Sequence, residues 1–148
     1  MTRKSMAAAF ATTLLVGAGL AVMTPGPAQA VVACPAGVWN YHQTMTGGCG
    51  YGQWSSGENS SGDAWFKLSG QVGDNKADGS CARVEVHTRV AFAPDSTQTY
   101  KACGNATRTA ISFSDTDTAT GATGSVQAWS VRLCVGDSCT AYKDYEPR

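Results

Sequence analysis

The chain has 148 residues, 43% hydrophobic and 15% charged, with eleven basic and eleven acidic side chains. That length suits a single domain, and scattered charge of both signs offers no electrostatic footprint for nucleic acid or anionic lipid.

At the N-terminus, Arg3 and Lys4 precede an uncharged apolar run from Met6 to Met23, and Pro25-Gly26-Pro27 then breaks any helix. Ala28-Gln29-Ala30 follows, with small residues where signal peptidase needs them, so residues 1–30 read as a secretory signal peptide. Cleavage after Ala30 leaves 31–148 as one extracellular domain with nine basic and eleven acidic residues and no stable membrane association. Two rival readings exist. A run of about 18 residues lies at the short edge of a membrane span, and a cleavage site follows it. Val31-Val32-Ala33-Cys34 resembles a lipobox, but six residues, Thr24 to Gln29, separate it from the apolar run. Lipidation of Cys34 would also leave an odd number of cysteines.

In the remainder, strand signals dominate and no helical period persists. Asn40–Tyr41 reads as a short edge strand, and Gly47–Gly62 as a long polar loop of Gly, Ser and Asn. Ala64–Val72 alternates, with Phe66, Leu68 and Val72 inward. A turn from Gly73 to Gly79 leads to the clearest strand, Arg83–Phe92. There Val84, Val86, Thr88, Val90 and Phe92 share one face, and Arg83, Glu85, His87 and Arg89 the other. Pro94-Asp95-Ser96 ends it. Arg108–Ser114 places Thr109, Ile111 and Phe113 together, and Asp115–Gly124 reads as a second polar loop. Gln127–Val135 sets Trp129, Val131, Leu133 and Val135 against Ser130 and Arg132. Val135-Gly136-Asp137-Ser138 has the form of a hairpin tip, with Ala141–Tyr142 as another edge strand. Short strands at this spacing predict an all-β fold, a small antiparallel sandwich or barrel.

Cys34, Cys49, Cys81, Cys103, Cys134 and Cys139 all follow the leader. An even count in a short exported chain predicts three disulfides. Metal binding is the alternative, but there is no Cys-x2-Cys pair, and His42 and His87 are not at zinc-ligand spacing. No metal and no cofactor is expected. Six cysteines allow fifteen pairings; the expected one is sequential, Cys34–Cys49, Cys81–Cys103 and Cys134–Cys139.

Candidate chemistry is sparse. His87 lies on the polar face of a strand with no nucleophile pattern nearby, so it reads as a solvated residue. Gly136-Asp137-Ser138 lacks the final glycine of a serine-protease motif, because Cys139 stands there. Asp74 to Glu85 has the length of a calcium loop, but Lys76 occupies a ligand position. Glu58 and Asp63, near Trp54 and Trp65, are the one carboxylate pair a small hydrolase would use. Trp39, Tyr41, Tyr51 and Trp54 are either core or a stacking surface for a ligand.

The leader, Cys81-Ala82-Arg83-Val84, Cys103-Gly104 and Val131-Arg132-Leu133-Cys134 together resemble the small disulfide-bonded β-proteins secreted by filamentous actinobacteria. Within that group, the order of cysteines and strands over Cys81 to Cys134 resembles the tendamistat-like α-amylase inhibitors. That resemblance implies a six-stranded sandwich that plugs an enzyme. Their Trp-Arg-Tyr motif is absent here, so no binding residue carries over. The expectation is therefore a secreted, non-catalytic binding protein, a partner or inhibitor of an extracellular hydrolase. Its contacts would come from Gly47–Gly62 and Asp115–Gly124. The alternatives are a module that binds polysaccharide through Tyr51 and Trp54, and a small hydrolase using Glu58 and Asp63.

Overall fold

The computed structural model describes residues 34–91, 94–117 and 126–146. The expected leader, Phe92 and residues 118–124 of the second loop lie outside them. Among the described residues nine strands follow in order: β1 (Tyr41–Met45), β2 (Gly48–Glu58), β3 (Ala64–Asp74), β4 (Cys81–Val90), β5 (Ser96–Cys103), β6 (Thr107–Thr116), β7 (Val126–Val135), β8 (Ser138–Cys139) and β9 (Lys143–Tyr145). Two antiparallel sheets pack face to face. Sheet A has the order β1-β2-β3-β6, and sheet B has β5-β4-β7-β8, with β9 also on β7. Among the described residues no helix is long and apolar enough to cross a membrane.

The alternating runs fill the space between the sheets. Phe66, Leu68, Val72, Ile111 and Phe113 face inward from sheet A; Val84, Val86, Trp129, Val131 and Leu133 face them from sheet B. At the centre Phe66 stacks on Trp129 with ring centroids 5.5 Å apart. The Trp129 indole N–H donates to Asp115 Oδ2 at 2.9 Å, so the largest apolar side chain of the core keeps its polar atom satisfied. Tyr41 and Tyr145 complete the cluster, and burial pushes the Tyr145 phenol up to about 12.

Gly47–Gly62 is not a loop. Its residues 48–58 form β2, paired along its whole length with β3 and over five residues with β1. Period-two hydrophobicity is missing because the first inward positions, Gly48, Gly50 and Gly52, hold glycine. A Cβ on Gly50 would lie 2.6 Å from Tyr41 Oη and 2.7 Å from Val84 Cγ2. Tyr41 fills the space that an apolar side chain of β2 would otherwise occupy. Gly52 and Gly70 sit directly opposite each other, and a Cβ on either would overlap the neighbouring backbone.

Ser96–Cys103 forms a strand that alternation does not reveal, because as a sheet edge it is exposed over most of its length. Asp115 and Thr116 belong to β6 rather than to a loop. Near the C-terminus the strand is Lys143–Tyr145, not Ala141–Tyr142.

The disulfides pair in sequence order, Cys34–Cys49, Cys81–Cys103 and Cys134–Cys139. The last two join residues that face each other across adjacent strands. Side chains also stitch the open sides of the sandwich. Thr109 Oγ1 donates to the Lys101 carbonyl at 2.8 Å, and the Tyr100 hydroxyl to the Ser112 carbonyl at 2.7 Å, across β5 and β6. On the opposite side Gln43 Nε2 donates to the Ala141 carbonyl at 3.3 Å. Carbonyls of edge strands engaged in this way are not offered to another chain.

Candidate binding surface

Residues at odd positions of β2 and β3 point away from the core. They build the outer face of sheet A with the even positions of β6. Across the sheet the register sets Gln53 beside Ser69 and Ser112, and Ser55 beside Lys67 and Ser114. All six side chains are exposed. Short hydroxyl and amide groups make this a flat polar surface, with Lys67 the one charge among these six; Arg108, on the same face opposite Gly73, donates from Nη1 to Asn75 Oδ1 at 2.7 Å.

Each end of the surface carries a tryptophan. Trp65 alternates with the buried Phe66 and so points outward. A Cβ on Gly57, directly opposite it, would meet the indole at 3.0 Å, so glycine lets the ring lie down against the sheet. Lys67 Nζ sits 5.4 Å from the centre of that ring. At the far end Trp39 covers Tyr51, their ring centroids 5.3 Å apart. Gln71 lies beside Tyr51 and is six residues from Trp65 along β3. The two ends are therefore roughly 20 Å apart at about 3.3 Å per residue.

Trp39 precedes β1 and is held by several bonds. The Cys34–Cys49 disulfide ties its segment to the outward side of β2. Gln53 Nε2 donates to the Val38 carbonyl at 2.6 Å. Asn40 Nδ2 donates to the Trp54 carbonyl at 2.7 Å, and Asn40 Oδ1 accepts from the Trp54 N–H at 2.6 Å. Pro35, Trp39, Tyr51, Gln53, Ser69 and Gln71 then surround an open cleft of about 480 Å³. A second cleft of about 410 Å³ adjoins it, sharing Gln53 and Ser69 and continuing along Ser55, Lys67, Ser112 and Ser114.

The four residues singled out in the sequence fall in three places. Tyr51 is on this face but only 5% exposed beneath Trp39, and its hydroxyl donates to Gln71 Oε1 at 2.6 Å. Trp54, three residues on, leaves β2 on the opposite side and packs against Tyr145 with centroids 4.7 Å apart. The two rings therefore share no surface. Glu58 ends β2, and Asp63 precedes β3 after the intervening turn. Asp63 Oδ2 accepts from Asn59 Nδ2 at 2.8 Å, which makes it part of that turn. Trp65 is the surface residue that sequence reasoning passed over. The alternation of 64–72 carried the signal, since a tryptophan out of phase with Phe66 and Leu68 must face outward.

The outer face of sheet B is of a different kind. Glu85 accepts from Arg83 Nε on one oxygen and from Arg132 Nε on the other, both at 2.8 Å. Burial pushes this carboxyl upward, but the bonds and charges of the two guanidinium groups outweigh it and hold it below the ordinary glutamate value. A depressed carboxylate contributes stability above its unfolded value of about 4.3 and loses it as pH falls through the folded value. Melting temperature should therefore drop below about pH 4.3. Glu85→Gln should be less stable at pH 7 and lose less between pH 5 and pH 3. Parallel melting curves of the two proteins across that range would contradict this.

The calcium-loop spacing has a structural use. Asp74 is buried and accepts from the Gly104 N–H at 2.8 Å, while Lys76 pairs with Asp78 at 3.0 Å. No group of His, Cys, Asp and Glu able to hold a metal occurs among the described residues. No protein-family model matches this chain, and neither the curated proteins nor the solved structures contain a match.

Proposed function

We propose that this chain is an exported, non-catalytic binding protein whose outer sheet-A face receives an extended neutral glycan. The observation that carries the reading is the pair of half-buried tryptophans, Trp39 and Trp65, at the two ends of an exposed row of hydroxyl and amide side chains. Indole faces cover the apolar C–H faces of sugar rings, and short polar groups exchange hydrogen bonds with their hydroxyls. Because the frame is a sheet locked by disulfides, little ordering entropy is lost on binding. The leader pattern and the three disulfides support an extracellular site of action.

Calorimetric titration of the oxidised chain with hexasaccharides of cellulose, xylan and chitin tests the proposal. At least one should bind, and Trp39→Ala and Trp65→Ala should each weaken that affinity about tenfold, or about 1.4 kcal/mol. Trp54→Ala should instead lower stability. No heat with any of the three, or unchanged affinity in both surface variants, would overturn the assignment. The second reading, an extracellular protein partner such as a hydrolase, is favoured by the charge arrangement on the opposite face.

A further inference from the structure

Three cations sit together on the outer face of sheet B with one carboxylate among them. Lys101 lies directly opposite Arg83, and Arg132 directly opposite Glu85 on the other side of β4. Like charges placed directly opposite one another destabilise a sheet. Glu85 is engaged by both arginines, so the cluster keeps an excess of two positive charges, although the chain as a whole carries equal numbers of basic and acidic residues. Both arginines are held in place. Arg83 Nη1 donates to the Gly136 carbonyl at 2.5 Å, and the Arg132 guanidinium lies 4.4 Å from the centre of the Tyr142 ring. Tyr142 is 37% exposed. Farther along the same face the cations give way to carboxylates, with Asp95 3.3 Å from His87 Nε2 and Asp144 4.0 Å from Arg89. The three cations thus gather at the end beside the Cys134–Cys139 hairpin, whose tip carries one exposed carboxylate, Asp137.

We infer that this end of sheet B is a docking site for an acidic, extended polypeptide segment of an extracellular partner. Charge complementarity selects the sign. Arg83 and Arg132 stand on adjacent strands in diagonal positions, about 7–8 Å apart at the backbone. Alternate side chains of an extended peptide are spaced about 7 Å, so successive acidic residues on one side of such a segment meet successive cations. Tyrosine and arginine side by side are also the residue types that dominate binding energy in protein interfaces. The site is on the opposite face of the sandwich from the proposed glycan surface and stands independently of it.

The test is fluorescence anisotropy of a fluorescein-labelled decapeptide of alternating Asp and Ser. It is titrated with the oxidised mature chain, residues 31–148, at about 20 and about 200 mM salt. Saturable binding that weakens with salt is expected. Lys101→Glu, an exposed change on an edge strand, should reduce affinity at least tenfold while Lys101→Arg retains it. Trp65→Ala on the other face should bind the peptide normally. Absence of saturable binding at low salt, or equal binding by Lys101→Glu, would overturn the proposal. Displacement of the peptide by polygalacturonate at equal charge concentration would also overturn it, as the mark of a site for acidic glycan.

Discussion

Under reducing conditions the oxidised chain is expected to lose its β-sheet circular dichroism and its cooperative melting at room temperature. The three bridges close loops with sequence separations of 15, 22 and 5 residues. In the chain-entropy model these contribute about 3, about 3.4 and about 2 kcal/mol, together about 8 kcal/mol. Domains of this size have a net stability of about 5–15 kcal/mol, so removing all three bridges consumes most or all of it. The bridge Cys81–Cys103 closes the longest of the three loops, and the paired change Cys81→Ala with Cys103→Ala should lose the most of any single bridge. The pair Cys34→Ala with Cys49→Ala has a second, separable effect. It frees the segment that holds Trp39 on Tyr51, so the proposed glycan affinity should fall toward the tenfold loss expected of Trp39→Ala, in addition to the loss of stability. A reduced chain that still melts cooperatively within a few degrees of the oxidised one would show that packing alone holds the fold.

The second large effect is in the centre of the core. Trp129→Ala removes the largest fully buried side chain, the stacking partner of Phe66 and the indole donor to Asp115. Truncations of this kind cost about 3–5 kcal/mol, part lost transfer energy and part cavity. Trp129→Phe retains a ring against Phe66 but takes the donor from the carboxylate, and should cost about 1–3 kcal/mol. Urea titrations of the oxidised proteins measure both, provided the slope of the transition is unchanged. A loss below about 1 kcal/mol for the alanine variant would mean that Trp129 is not the centre of the core described above.

Where alternation was present, the strands were legible. β3, β4, β6 and β7 each place hydrophobic side chains at every second position because each has one face against the opposite sheet. β2 failed the same test. Its inward positions Gly48 and Gly50 are filled from outside the strand, Gly48 by Ala82 and Val135 and Gly50 by Tyr41 and Val84. No pattern within residues 48–58 can report side chains supplied by β1, β4 and β7. β5 escaped notice for the opposite reason. An edge strand exposed on most of its length has no apolar face to display.

The candidate surface was legible in part. The outward phase of Trp65 and Lys67 follows from Phe66 and Leu68. The joining of Trp39 to that same face does not, because it depends on a disulfide and on the bonds that Asn40 and Gln53 make to the backbone.

Local pattern was enough for the all-β class, the inward residues of the four alternating strands and an even set of cysteines suited to three bridges. Each of these is a local property, set by the side-chain period of two or by a count. Tertiary structure alone decided which strands share a sheet, that a glycine-rich segment is the second strand of one, and that Tyr51 and Trp54 part company across it. It also decided that Lys101, Arg83 and Arg132 gather around one glutamate. Those outcomes depend on register between strands distant in the chain, and register is chosen by the packing of both sheets at once.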